Sequence, residues 1–130
     1  QMVFMVQKEV GERFTASPKT KAYSSITVFL NYNYEIHKLM IVSKECFIPK
    51  PKVDSVVLKF TKRNYHVRPK NEAFFEEIVK ESFKYKRKTL KNNLKNYNIE
   101  KMFKDLNLKD SIRAEELTIE EFIKISDYLC

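Results

Sequence analysis

Glycine is almost missing from this chain: among 130 residues there is one, Gly11. A P-loop, a dinucleotide fingerprint or any other glycine-rich phosphate cradle needs several residues without a Cβ where backbone meets ligand, so none of these lies within the sequence. Cysteine is nearly as scarce. Cys46 and Cys130 stand alone, without the paired spacing of a zinc site or the density of a secreted disulfide scaffold, and a reduced, cytoplasmic setting is the default expectation. Long apolar runs are lacking too. Met2 to Val6 and Leu39 to Val42 are the longest, far short of the roughly 20 residues of a membrane helix. Met2 to Val6 also has no basic leader or small-residue cleavage site, so it does not read as a signal peptide.

What is present is charge. Lys and Arg total 25 against 17 Asp and Glu, a formal net charge of +8, which makes a polyanion the first partner to consider. The excess is local: residues 1–61 carry 9 basic and 5 acidic residues, 62–109 carry 14 and 6, and 110–130 carry 2 and 6. The middle third is therefore the polyanion candidate. His37 and His66 have no Cys or carboxylate neighbours at metal-ligand spacing, so both read as structural or solvated, and no metal is expected.

Periodicity divides the chain. Met2–Gln7 has the unbroken apolar character of a central strand buried on both faces. Because it follows Gln1 at once, the chain reads as a fragment whose N-terminal part is missing. A helix is expected over Lys8–Ala16, stopping before Ser17-Pro18, and a second over Tyr23–Tyr32. Glu35–Ser43 and Asp54–Thr61 read as strands, the latter with Val56, Leu58 and Phe60 on one face. From about Asn71 only helical spacing remains, through Phe74, Phe75, Ile78, Val79 and Phe83, and again through Phe122, Ile125 and Leu129. Thr118 and Glu121 form a capping box for the last helix. The expected fold class is α/β: the C-terminal part of a sheet of about three strands with helices, over residues 1–62, a linker over 63–70, and a helical lobe of three or four helices over 71–130.

Two segments carry functional signal. In Phe47-Ile48-Pro49-Lys50-Pro51-Lys52-Val53-Asp54-Ser55 the prolines are expected to stiffen an extended loop that holds Phe47 as a stacking platform for an extruded base, with Lys50 and Lys52 as phosphate contacts. The same residues also suit a core anchor with a proline-guided crossover. Cys46, just before them, reads as a small buried hydrophobe. In the second segment, Phe83 to Lys95, a helix would gather Lys84, Arg87, Lys88, Lys91 and Lys95 within an arc of roughly 100°, beside an apolar face of Val79, Phe83, Leu90 and Leu94. No acidic residue interrupts 82–99, so this stripe suits a nucleic-acid backbone. A solvated helix face is the alternative.

At these residues the sequence resembles the rRNA adenine dimethyltransferases, which modify two neighbouring adenosines near the 3′ end of small-subunit rRNA. The resemblance runs through Met5 to Val10 with Arg13, Ser17-Pro18, Lys21-Ala22-Tyr23, the loop Phe47 to Ser55, the signature Arg87-Lys88-Thr89-Leu90 with Asn92-Asn93-Leu94, and Arg113-Ala114-Glu115-Glu116-Leu117. Related enzymes that methylate large-subunit rRNA and confer macrolide resistance share a similar proline loop; the basic signature separates the two groups. One departure is Tyr85-Lys86, where the family usually has Gln-Arg, keeping the charge at Lys86 without a guanidinium fork.

The resemblance implies a Rossmann-like methyltransferase sheet followed by an RNA-binding helical lobe. It implies Phe47 as the residue that stacks the target adenine, and Lys50, Lys52, Lys84, Lys86, Arg87, Lys88, Lys91 and Lys95 as RNA contacts. Small-subunit rRNA and the nascent small ribosomal subunit are the implied partners, without a membrane. S-adenosylmethionine is the implied cofactor of the full-length enzyme; its glycine-rich loop and the Asn-Leu-Pro-Tyr type motif that holds the target amine are not in this sequence, so this chain alone is expected neither to bind the cofactor nor to turn over. A non-catalytic RNA-binding or ribosome-assembly module is the alternative.

Overall fold

The computed structural model describes all residues, Gln1 to Cys130. Its first half is a three-stranded antiparallel sheet with two helices on one face. The strands are β1 (Met2–Gln7), β2 (Tyr34–Val42) and β3 (Ser55–Lys62), in the order β1-β3-β2. Helices α1 (Lys8–Phe14) and α2 (Ser25–Asn33) connect β1 to β2. The alternation of β3 turns Val56, Leu58 and Phe60 toward these helices, where Phe14 and Leu30 pack on them, as expected from the period-2 pattern. Gly11 is where α1 crosses β3: a Cβ there would collide with a methyl of Val56, so the one glycine of the chain allows helix and sheet to touch.

The second half holds α3 (Glu72–Ser82), α4 (Leu90–Asn93), α5 (Glu100–Asp105) and α6 (Ile119–Leu129). Phe75, Ile78 and Val79 of α3 meet Phe122, Ile123 and Ile125 of α6 in one buried cluster. Both helices start at capped ends. Asn71 Oδ1 accepts from the Phe74 N–H at 3.1 Å, and the reciprocal box at Thr118 and Glu121 closes at 3.2 and 3.0 Å, satisfying donors a helix cannot pair internally. The cluster also takes in Tyr23, Val28 and Tyr32, so α2 is sandwiched between the sheet and the helices.

The stretch between β3 and α3 is tied down at both ends. The Arg63 N–H donates to Asn33 O at 2.9 Å and the Lys70 N–H to Asp127 Oδ1 at 2.8 Å. Midway, the Tyr65 hydroxyl donates to Glu120 Oε1 at 2.6 Å. That bond is the first cause of a Glu120 carboxyl held below its ordinary value, while burial and the same carboxylate push the Tyr65 hydroxyl up.

Several expectations need correcting. Within these 130 residues β1 is an edge strand with Val3 and Met5 each more than half exposed, so the burial on both faces expected for it is not completed by the three strands described. Helix α1 ends at Phe14 rather than Ala16, because the Thr15 N–H and hydroxyl both bond to Gly11 O, at 3.1 and 2.9 Å, and close the last turn. Cys46 is exposed rather than buried; it sits in a 3-10 turn, Lys44–Cys46, on the connection outside the sheet.

The largest correction concerns the expected helix from Phe83 to Lys95. α3 stops at Ser82, residues 83–89 turn, and only Leu90–Asn93 is helical again. Two side chains set this break. Thr89 caps α4 by accepting from the Asn92 N–H at 3.2 Å. Asn93, buried, donates to Ser82 O and Tyr85 O at 2.9 and 3.1 Å and accepts from the Tyr85 N–H at 3.2 Å. Backbone groups that a continuous helix would pair internally are paired by one amide instead.

Candidate nucleic-acid interface

The connection between β2 and β3 carries Phe47, and its shape follows from the antiparallel pairing on either side. Chain direction must reverse, so the loop bends at residues 47–49 and again at 52–53 instead of running extended. Asp54 closes it: its Oδ1 accepts from the Lys44 N–H at 2.8 Å, and its carbonyl from the Lys8 N–H at 2.9 Å. Phe47 is half-buried on extended backbone, whereas Ile48 beside it is fully exposed. Lys50 is held by Glu45, Nζ to Oε1 at 2.8 Å. Lys52 is exposed and makes no ion pair, so it is the freer of the two cations expected here.

The turn over residues 83–89 breaks the expected stripe. Lys84, Lys86, Arg87, Lys88 and Lys95 are all exposed and free of carboxylates. Lys91 is the exception, pairing with Asp110 at 3.3 Å and lying 5.8 Å over the Phe103 ring. The structure does not place these residues in a single arc, since the backbone from Lys84 to Thr89 is not helical. It brings Lys86 and Lys88 together with cations from distant parts of the chain.

Those cations are Arg13 from the last turn of α1, Lys21 from the loop before α2, and Arg113 from the loop before α6. With Lys86 and Lys88 they line a cleft of about 220 Å³ that also exposes Ser24 and Ser25 at the N-terminus of α2. None of the five is engaged in an ion pair, and Glu115 is the one carboxylate in the wall. The Ser24 N–H is already bonded to Thr27 Oγ1 at 3.1 Å, but the dipole at the start of a helix still favours an anion, and five cations outside any ion pair add to that field. The cleft can hold phosphate groups of a polyanion. Arg13, Lys21 and Arg113 escaped the sequence reading as site residues because each is isolated along the chain; the signal was their presence inside the family-like motifs around Met5, Ser17 and Arg113.

The residues present do not fit S-adenosylmethionine. The one glycine has its open side filled by Val56, leaving no stretch of bare backbone for a ligand to approach. No group of three or more His, Cys, Asp or Glu is placed to hold a metal ion. His37 and His66 instead face Glu35 and Glu120, at 3.2 and 3.4 Å. No helix is long and apolar enough to cross a membrane.

Comparison with known proteins places the chain in a family. The family model described as "Ribosomal RNA adenine dimethylase" matches residues 1–130. The chain is 40% identical over 128 residues to the "Ribosomal RNA small subunit methyltransferase A" of Francisella tularensis subsp. novicida, covering 97% of this chain and 49% of the relative. It is 43% identical over 132 residues to the protein of the same name from Clostridium botulinum, covering 97% and 48%. The chain thus spans about half the length of the curated relatives it matches. Among solved structures, a dimethyladenosine transferase from Plasmodium falciparum superposes with a TM-score of 0.77 at 24% identity, over 95% of this chain and 54% of that one. A 23S rRNA methyltransferase superposes with a TM-score of 0.65 at 18% identity, over 98% and 53%. At these identities the structures speak for the fold.

Proposed function

The chain belongs to the ribosomal RNA adenine dimethylase family, and on that premise we propose that it serves an S-adenosylmethionine-dependent enzyme that dimethylates two neighbouring adenosines near the 3′ end of small-subunit rRNA in the cytoplasm, during assembly of the nascent subunit. In this reading the chain holds the RNA and presents the base, while the cofactor is bound by sequence outside it. Phe47 stacks the extruded adenine, Lys52 touches the adjoining backbone, and Lys50 does so once freed from Glu45. Stacking at a fixed ring acts on the positioning of the target amine and hence on rate more than on affinity. Lys84, Lys86, Arg87, Lys88 and Lys95 track phosphates, with Lys91 contributing where Asp110 gives it up.

The observation that carries the proposal is the cleft in which Lys86, Lys88 and Arg113 converge from separate segments with Arg13 and Lys21. Removing one cation from a phosphate lowers the slope of log affinity against log salt by about 0.7 to 0.9. Replacing Lys88 and Arg113 together by Gln should therefore weaken binding to small-subunit rRNA and lower that slope by about 1 to 2. Replacing Lys101 and Lys104, which lie outside the cleft, should do less. Equal losses from the two pairs would mean that the net charge acts diffusely and that the cleft has no special part. The same titration addresses the non-catalytic alternative when run on an enzyme containing the cofactor half: retained RNA binding without methyl transfer would favour it.

A further inference from the structure

A second basic cleft, of about 240 Å³, opens where β2 begins and β3 ends. Lys62, Arg63 and Arg68 supply three cations and Glu72 the one carboxylate. That carboxylate is already engaged, accepting from the Tyr32 hydroxyl at 2.9 Å and lying 3.4 Å from Arg68. Lys62 and Arg63 have no acidic partner. The two guanidiniums are nevertheless held in place. Arg63 lies 5.6 Å over the Tyr65 ring, with its backbone N–H bonded to Asn33 O, and Arg68 donates to Asn64 Oδ1 at 3.0 Å. With its oxygen so occupied, the Asn64 amide still has its NH₂ to offer. Positioned arginine forks, a free ammonium and an amide donor around a small polar hollow match the oxygens of a phosphodiester.

We propose that this cleft is a second phosphate site for the RNA strand, remote from the base-presenting loop. Tyr34, in its wall, pairs with Lys62 at one end of β2, and the Phe47 loop leaves from Val42 at the other. At about 3.3 Å per residue the strand sets the two roughly 25 Å apart. In the order β1-β3-β2 this strand is an outer edge of the sheet, so RNA engaging both sites runs along that edge and its footprint extends well beyond the target adenosines. The inference deepens the RNA-binding reading above and rests on it. Free mononucleotides carry the same phosphate chemistry and are the competing source.

The test compares three forms of the protein: unaltered, Lys62→Gln with Arg63→Gln, and Lys88→Gln with Arg113→Gln. Binding of a small-subunit rRNA 3′-terminal fragment is measured across salt concentrations, with adenosine 5′-monophosphate and inorganic phosphate as separate probes. The Lys62/Arg63 pair should weaken RNA binding several-fold at low salt and lower the salt slope by about 1 to 2, and its effect should multiply with that of the Lys88/Arg113 pair. Unchanged RNA affinity and slope in the Lys62/Arg63 variant, while the other pair weakens binding, would overturn this site alone. Saturable binding of adenosine 5′-monophosphate that the Lys62/Arg63 pair abolishes, with RNA binding intact, would assign the cleft to free nucleotides instead. The reverse pattern, in which only the Lys62/Arg63 pair matters, would sink the first cleft and keep the second; no RNA binding by any form would sink both. Lys62 is exposed, so Lys62→Gln alone, expected to lower the slope by about 1 or less with an unchanged melting temperature, distinguishes a missing phosphate partner from a folding defect.

Discussion

The two halves of the molecule bury their apolar residues very differently. Around α3 and α6, thirteen buried side chains of the second half join Tyr23, Val28 and Tyr32 from the first in one cluster of sixteen, whereas the sheet itself has a buried cluster of only three, Val56, Leu58 and Phe60. The sequence of the sheet half is no less apolar locally: Met2 to Val6 is the longest apolar run in the chain, yet Val3 and Met5 lie in the open. Helices complete a core by facing apolar stripes to one another, here from α3, α4, α5 and α6 with α2 closing one side. A strand needs neighbours on both edges and a layer on each face, and three strands with helices on one side supply only part of that.

That contrast can be broken most sharply inside the helical cluster. Phe122→Ala, at a fully buried ring, should cost about 3–5 kcal/mol, while Val3→Ala on the open sheet face should change stability by less than about 0.5 kcal/mol; paired denaturant titrations measure both. Comparable losses would mean that β1 is buried in solution. An intermediate effect is expected at Gly11→Ala, where the added methyl meets Val56. Because the colliding methyl belongs to a buried, stiff valine, overpacking falls at the upper end of its range, about 2–3 kcal/mol; better helix propensity offsets about 1 kcal/mol, leaving a net destabilisation of about 1–2 kcal/mol. A variant as stable as the parent would show that α1 can lift from β3 without penalty.

The smallest effect joins the halves and depends on pH. Tyr65 holds the Glu120 carboxyl below its ordinary value of 4.5. A depressed carboxyl contributes stability above its unfolded-state value and loses it as pH falls through its lower folded-state value. Tyr65→Phe should therefore lower stability by about 1 kcal/mol at neutral pH, a figure discounted for the solvent that reaches Glu120. Melting curves of the two proteins should converge as pH drops below about 4. A gap that persists in acid would trace the loss to packing of the ring rather than to the hydrogen bond.

Much of this was legible along the chain. The alternation of Val56, Leu58 and Phe60 identified the inward face of β3, since strand geometry fixes it within a few residues. Thr118 and Glu121 marked the start of α6, because a capping box is satisfied over four residues. The proline loop and the Arg87-Lys88-Thr89-Leu90 signature carried the family resemblance through local motifs, and the family match over residues 1–130 bears that resemblance out. The break between α3 and α4 was hidden: the spacing of Val79, Phe83, Leu90 and Leu94 suits a helix as well as it suits two helices meeting one core. Only the Asn93 amide, bonding back to Ser82 and Tyr85, settles the matter, and its partners lie eight and eleven residues away.

By itself, then, the sequence determined most of the elements, the charge and the residue types of the candidate segments, all of which depend on neighbours a few positions apart. The tertiary structure decided which cations stand together. Arg13, Lys21, Lys86, Lys88 and Arg113 share a cleft because α1 is held against the sheet at Gly11, α2 is held between sheet and helices, and Asn93 folds the basic turn back toward them. Electrostatic potential adds over distance in space, not along the chain, so residues scattered across a hundred positions line one basic cleft only after the core has brought them together.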